Sequence, residues 1–413
     1  MASPAAWAEE ARRSAERSLA TLPPLTGREE EWRFTPPRDL ALAGTEPEAP
    51  AAGAPAELPS LASGPRAARL EIVDGKLAGG VSAPVGLPDG IVVADLGDAL
   101  SSHEELLRER LYSFVGFDTR PGALNAVHWE SGVFVHVPRG AALELPVEAL
   151  HAASGARGRV AGRSLVVVDE GGRLTLVERF ANPAGPVGGV VQASSVAEVF
   201  VGPGARVDHY SFIGWDGGMR HHAMLVARVD RDASFRSMVV TLGGDVVRVE
   251  PTLVCAGPGA DAQALGLYFA AGTQHFEHRV VARHEAPHAH SNLLYKGAIQ
   301  DTAHTIFYGN LVVQPGAPGT DAYQTNRNLV LNEGARADTI PFLEIETADV
   351  RCSHAGAVGR MDDEQLFYLR SRGVPEEVAK KLIVFGFFQE VLEQFGLEDL
   401  RRELESAVGA KIR

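Results

Sequence analysis

Cysteine is nearly absent from this sequence, which contains only Cys255 and Cys352 among its 413 residues. Two cysteines cannot form a disulfide framework, and they cannot supply the four thiolates of a resident zinc or iron–sulfur site. A chain with this cysteine content therefore cannot build an iron–sulfur cluster site alone.

Basic residues and long apolar runs are also scarce. Lys and Arg total 39 against 53 Asp and Glu, for a net charge of -14, which argues against a protein that neutralises nucleic-acid phosphates. No stretch approaches the ~18 apolar residues of a membrane helix. Glu9 and Glu10 lie where a signal peptide would have its apolar run. We therefore expect a cytoplasmic protein with neither nucleic-acid nor membrane partners.

Several catalytic motifs are missing. The sequence has no GxxxxGK[ST] phosphate-binding loop, no GxSxG nucleophile motif and no HExxH metalloprotease motif. We therefore expect no ATP hydrolysis by this chain alone.

The middle of the chain, from about 120 to 360, consists of short β-branched runs separated by a recurring turn of two small residues. A repeat whose units cannot bury their own apolar face must stack against its neighbours. With little helical periodicity between the runs, the pattern favours a parallel β-helix, with a β-sandwich or barrel as the alternative. The predicted turns are Gly140-Ala141, Gly171-Gly172, Gly204-Ala205, Asp232-Ala233, Gly259-Ala260, Gly297-Ala298, Gly316-Ala317 and Gly334-Ala335.

The two ends of the chain differ from this middle region. Residues 5–20 and 101–112 are typical of short helices, and the Pro- and Ala-rich residues 41–68 indicate a mobile connector. The predicted divisions are an N-terminal helical region 1–40, the linker 41–68, a mixed α/β lead-in 69–119, the β-helix core 120–361 and a C-terminal helical domain 362–413.

The last fifty residues have helical periodicity. Asp362 is a candidate N-cap with Gln365 at the capping-box position, Gly373 a candidate helix end and Pro375 a candidate first residue of the next helix. The apolar content here is high for a short domain. It predicts either packing against the β region or a docking surface for a partner. The candidate docking residues are Leu366, Phe367, Tyr368, Val378, Leu382, Phe385, Phe387 and Phe388.

Two groups of residues could bind a metal. His275, His278, His284, His288 and His290 are clustered, but their spacing matches no usual zinc pattern, so structural or solvated histidines are the simpler interpretation.

The second group is VRCSH at 350–354. On a strand, Cys352 and His354 project from the same face, about 6.5–7 Å apart along the chain, and thiolate and imidazole both suit iron or zinc. From the residues alone, a buried cysteine beside a surface histidine is the alternative.

The C-terminal run PFLEIETADVRCSHAGAVGRMDDEQLFYLRSRGVPEEVAKKLIVFGFF (341–388) closely resembles the signature of the SufB/SufD family. TDAYQTNRNLVL (320–331), EHRVVARHEAPHAHSNLLYKG (277–297) and EEWRFT (30–35) are similar to the same family. The resemblance implies a mainly β protein with a right-handed parallel β-helix core flanked by N- and C-terminal helical regions.

The resemblance also implies a function. Members form a complex with a SufB- or SufD-like paralogue and a SufC-like ABC ATPase, and the C-terminal helices dock the ATPase. An iron–sulfur cluster or iron would be held transiently at the subunit interface, with none stably bound by this chain alone. His354 matches the position of the family histidine near that interface, and Cys352 is the second candidate ligand.

Within the family, the short, cysteine-poor chain is nearer to SufD than to SufB. The expected role is thus a non-catalytic scaffold subunit. The alternatives are a SufB-like main scaffold, a β-helix enzyme acting on polysaccharides through paired carboxylates, and a homodimeric binding module.

Overall fold

A computed structural model of the chain describes residues 6–42, 64–83, 86–182 and 185–412. Most of the predicted linker, residues 43–63, lies outside the described residues. On either side of it, Leu42 and Arg66 are buried against the rest of the fold.

The described residues form the following elements. The helices are α1 (Ala6–Thr21), α2 (Leu96–Ser102), α3 (Glu104–Arg110), α4 (Arg120–His128), α5 (Asp363–Ser371), α6 (Glu376–Leu392) and α7 (Glu398–Lys411). The strands are β1 (Ala68–Val73), β2 (Lys76–Leu77), β3 (Val92–Asp95), β4 (Ser131–Val137), β5 (Val147–Ala152), β6 (Arg159–Val168), β7 (Arg173–Ala181), β8 (Val191–Val201), β9 (Arg206–Ile213), β10 (Met219–Val229), β11 (Ser234–Thr241), β12 (Val246–Cys255), β13 (Asp261–Ala270), β14 (His275–His284), β15 (His290–Ile299), β16 (His304–Val313), β17 (Thr320–Val330), β18 (Arg336–Ile345) and β19 (Val350–Arg360).

From β4 onward the strands alternate between two sheets. The odd-numbered strands stack in parallel from β5 to β19 in one sheet, called sheet A, and the even-numbered strands stack in parallel from β4 to β18 in sheet B. Two strands therefore make one coil, and each coil lies on the previous one with every residue in register. This is the parallel β-helix that the sequence predicts, so the fold-class prediction is confirmed.

One corner of each coil is a turn containing a residue with positive φ, and these residues stack along the helix. The column is Gly140, Gly171, Gly204, Asp232, Gly259, His288 and Gly319, with φ between 55° and 72°. The amide of each residue in this column donates to a carbonyl of the next coil. Glycine is favoured because the left-handed conformation costs it nothing, and Asp and His are among the residues that tolerate it best.

One of the predicted turns is wrong. Gly297-Ala298 lies inside β15, and the turn at that level of the column is made by His288. The Gly316-Ala317 pair does lie in a turn, between β16 and β17, although the left-handed residue of that turn is Gly319. Gly297 is glycine for another reason, namely that the ring of Tyr268 occupies the space where a Cβ would lie.

The interior between the two sheets is the main hydrophobic core. Alternate residues of every strand point inward. Valine and alanine dominate near the N-terminal end, and the aromatic rings of Phe276, Phe307, Tyr268 and Tyr295 lie in the C-terminal half.

The N-terminal end of the β-helix is covered. Antiparallel partners close both sheets there, β2 on β1 and β3 on β4.

The EEWRFT segment packs on the outer face of sheet B. The guanidinium of Arg248 lies 4.0 Å from the centre of the Trp32 ring, and Thr35 Oγ1 lies 2.8 Å from His275 Nε2.

The C-terminal helices begin and end close to the predicted positions. Asp362 caps α5 by accepting from the amides of Glu364 and Gln365, Gly373 follows the helix with φ 86°, and Pro375 is the N-cap of α6. Among the helices of the described ranges, none has the length and apolar character needed to cross a bilayer.

The helices α6 and α7 lie on the outer face of sheet A. Their apolar side chains form a second core with the outward-facing residues of β11 and β13. This core includes Phe388 of α6, Met238 of β11 and Leu267 of β13. A buried ionic network adds to this contact. The Glu148 carboxylate lies between Arg66 and Arg179, which in turn pair with residues of α7.

Candidate functional site

In the part of the chain that the structure describes, the C-terminal end of the β-helix is exposed. The last strands, β18 and β19, form the outer edges of sheets B and A, and the described residues include no strand that pairs with either edge. The two strands are ten and eleven residues long. Long unpaired edges are sites where another strand can add, and they are unusual on a protein that remains alone.

The inward-facing residues of these two strands define what we call the open end. On β18 they are Ala337, Thr339, Pro341, Leu343 and Ile345, and on β19 they are Cys352, His354, Gly356 and Val358. They cover the interior incompletely, since Val358 is 47% and Ile345 40% exposed.

Cys352 and His354 both belong to the open end. Cys352 is in register with Ala322, and His354 with Gln324, and both of those neighbours point into the core. Cys352 is half-buried against the interior, whereas His354 is exposed. The structure therefore places the two residues side by side on the interior-facing side of the edge strand.

Their chemistry differs. Burial raises the pKa of the Cys352 thiol, and the Asp321 carboxylate raises it further. Because a thiol must lose its proton to bind a metal, the raised pKa adds to the cost of metal binding by Cys352. The other cysteine, Cys255, is buried in the core, and desolvation raises its pKa to about 12.

Cys352 and His354 together offer only two potential metal ligands. Within the described ranges, no three His, Cys, Asp or Glu residues are grouped so that they could hold a metal ion. Two donors on an exposed edge leave the remaining ligand positions open. A metal ion bound by these two side chains would need further donors to complete its coordination.

The clustered histidines are dispersed by the fold. His278 points into the core, where it lies 3.0 Å from Thr241 Oγ1 and stacks on Tyr268, and burial lowers its pKa to about 3. His284 is also buried, with its pKa lowered by burial to about 4, and lies 2.9 Å from Ser291 Oγ. His275, His288 and His290 lie on the outer face, at a turn and beside Asp261, respectively.

A second exposed surface lies on α5 and the start of α6. Phe367 is 72% exposed, and Tyr368, Val378 and Leu382 are exposed as well. Between these helices and the end of sheet A is a groove of about 480 Å³, lined by Leu369, Leu382, Arg360 and Asp362 among others.

Not all the candidate docking residues lie on this surface. Leu366, Phe385 and Phe387 are half-buried. Phe388 is fully buried in the core between α6 and sheet A, so its side chain is not available to a partner. Helical spacing did not separate the two faces of α6, because this helix is apolar on both.

One residue near the open end was missed by the sequence reasoning. Gln324 is 1% exposed and lies directly beneath His354. A signal was present, because Gln324, Asn326 and Asn328 alternate in TDAYQTNRNLVL and so share one face of the strand. That face is the interior, where amides need hydrogen-bond partners.

The fold and site together define a class, namely parallel β-helix proteins whose last described coil exposes a cysteine and a histidine. Residues 151–387 match the family model of the SUF system FeS cluster assembly, SufBD core domain. The chain belongs to the SufBD family.

Individual relatives agree with this assignment. An iron–sulfur cluster assembly SufBD family protein of Mycobacterium leprae is 42% identical over 60% of this chain and 61% of its own length. One from Mycobacterium tuberculosis is 44% identical over 54% and 57%, respectively. The iron–sulfur cluster assembly protein SufD of Bacillus subtilis is 27% identical over 78% of this chain and 74% of its own. The chain thus spans about three fifths of the mycobacterial relatives it matches.

Proposed function

We propose that this chain is a SufD-type, non-catalytic scaffold subunit of an iron–sulfur cluster assembly complex in the cytoplasm. The observation that carries the proposal is the open end, where long unpaired edge strands and the Cys352–His354 pair coincide. Membership of the SufBD family indicates iron–sulfur cluster assembly as the process. The open end offers a surface on which a cluster or iron could be held between two subunits.

Pairing with a SufB-like paralogue accounts for the open edges. A β-helix of the same kind could add its own edge strands to β18 and β19, which would satisfy their backbone groups and cover Val358 and Ile345. The same edges could pair with a second copy of this chain when the paralogue is absent. Donors from the partner would complete the site that Cys352 and His354 begin.

Docking of a SufC-like ABC ATPase is assigned to the exposed face of α5 and α6. Exposed Phe367, Tyr368 and Leu382 beside a groove are typical of an interface hot spot, because large apolar side chains there exclude water. The ATPase would supply the hydrolysis for which this chain lacks the motifs.

The test of the proposal is replacement of the two candidate ligands in the assembled complex. His354→Ala is expected to leave assembly intact and to prevent cluster accumulation, because an accessible imidazole is a competent iron ligand. Cys352→Ala is expected to have a weak effect, since its thiol is half-buried with a raised pKa. The measurement is iron and sulfide content, together with visible absorbance, of the purified complex.

Ser353→Ala is the matched control, because Ser353 lies between the two candidates and projects from the opposite face. It should change neither iron nor sulfide content. A His354→Ala complex that assembles normally and retains full cluster would contradict the proposed role.

The docking surface is tested by Phe367→Asp, which is expected to weaken ATPase binding at least tenfold by burying a charge in an apolar interface. Deleting the C-terminal helices would be a poorer test, because α6 and α7 cover Met238 and Leu267 on sheet A. Calorimetric titration with the ATPase measures the affinity. Phe367→Tyr is the control and should bind normally; unchanged binding of Phe367→Asp would place the interface elsewhere.

A further inference from the structure

The side-chain amide of Gln324 lies inside the β-helix, beside Gly309 on the opposite sheet. Its Nε2 donates to the carbonyl of Gly309 on the opposite sheet, with the two atoms 3.3 Å apart. A Cβ on Gly309 would lie only 2.6–2.7 Å from the amide atoms of Gln324. The glycine therefore provides the space that lets this amide span the interior just below the open end.

The other end of this amide lacks a partner. Gln324 Oε1 is buried and accepts no hydrogen bond from the described residues. A buried acceptor without a donor is energetically unfavourable, so such an atom in a native core calls for an explanation.

His354 is the residue next to this acceptor in the last coil. It is in register with Gln324 and inward-facing, and adjacent parallel strands are about 4.8 Å apart. If the His354 imidazole turned toward the preceding coil, one of its ring N–H groups would reach Gln324 Oε1. Histidines that bind metals usually donate their other N–H to an acceptor of this kind, which fixes the tautomer and directs the free lone pair at the metal.

We propose that Gln324 is a positioning residue for His354: its Oε1 accepts one ring N–H and leaves the other ring nitrogen unprotonated toward the open end. This inference rests on the proposed function only for the role of His354 as a metal ligand. The tautomer itself is a property of the isolated chain.

The test uses the full chain labelled with ¹⁵N-histidine, above about pH 8, where imidazoles are neutral. Long-range ¹H–¹⁵N correlation distinguishes the two tautomers, and the His354 signals are identified by their loss in His354→Ala. The wild-type protein is expected to hold one tautomer. Gln324→Leu should give a mixture, and Gln324→Glu, which retains an acceptor, should restore the single form.

Gly309→Ala provides an independent variant, because it displaces the amide while Gln324 itself is unchanged. It should also give mixed tautomers. Thr339→Val is the matched control, since Thr339 is another residue of the open end with an unpartnered buried hydroxyl and lies against Gly356 rather than beside Gln324. It should leave the tautomer unchanged, and circular dichroism would verify that each variant is folded.

In the assembled complex, Gln324→Leu is expected to lower iron affinity by about 10–100-fold, the usual effect of removing such a partner. A single unchanged tautomer in Gln324→Leu would overturn the inference, even if His354→Ala loses the cluster. Full cluster in His354→Ala would instead overturn the proposed function. A mixture produced by Thr339→Val but not by Gln324→Leu would assign the positioning role to Thr339.

Discussion

Gly297→Ala is expected to destabilise the chain by about 3 kcal/mol or more, although the change adds a single methyl group. A Cβ at this position would lie 1.9 Å from Cε2 of Tyr268. That ring cannot move aside easily, because it is fully buried and its hydroxyl bonds with Asn326 and Asn328. Overpacking of a well-filled core costs about 1–3 kcal/mol, and the loss of two buried hydrogen bonds would add to this. Urea denaturation followed by circular dichroism measures the effect.

The control is Gly359→Ala on the edge strand β19, where nothing lies within 4 Å of the position that a Cβ would take. It is expected to be close to neutral. In a Tyr268→Ala background, Gly297→Ala should cost much less than in the wild type, because the ring that opposes the methyl group is gone. Equal costs in the two backgrounds would show that Gly297 is needed for another reason.

Gly297 also shows where sequence reasoning about the repeat stops. The dipeptide Gly-Ala does not show whether its glycine adopts positive φ at a corner or makes room for an aromatic ring within a strand. The corner column could be predicted at five of its seven levels, because glycine or aspartate precedes a small residue there. The His288 level lacked that pattern, because the residue before the small Ala289 is a histidine rather than a glycine or aspartate.

The candidate site was predictable in part. Strand alternation alone placed Cys352 and His354 on one face. Which face this is depends on the register of β19 against β17, and that pairing spans about thirty residues of intervening chain. The same limit applies to Phe388. Its burial depends on the outer face of sheet A, which no local pattern in α6 describes.

The ionic network between the β-helix and α7 could not be predicted, because its members are far apart in sequence. Glu148 is fully buried on β5, with Oε1 2.7 Å from Arg179 Nε and Oε2 3.2 Å from Arg66 Nε. These two arginines reach α7 through Glu403 and Asp399. Glu148 thus pairs with two buried guanidinium groups, and each of these is also paired with a carboxylate of α7.

Glu148→Ala is expected to lower the free energy of unfolding by about 3–5 kcal/mol, the usual cost of removing one partner from a buried ionic group. Arg66 and Arg179 would each keep a single acceptor on α7, and the net charge of the buried network would become more positive. Because both arginines hold α7, protease cleavage within the last helix should increase before the β-helix unfolds. Urea denaturation and limited proteolysis measure the two effects.

Glu398→Ala is the control for this prediction. Glu398 is also on α7 and also pairs with arginines, Arg401 and Arg402, but all three are solvent-accessible. Exposed ion pairs add little to stability because water and salt screen them, so this variant should unfold at the wild-type urea concentration. Should Glu148→Ala and Glu398→Ala unfold alike, the buried carboxylate would not be what fastens α7 to the β-helix. The attachment would then depend on other contacts of α7, such as the apolar packing of Leu404 and Val408 and the hydrogen bonds of Lys411.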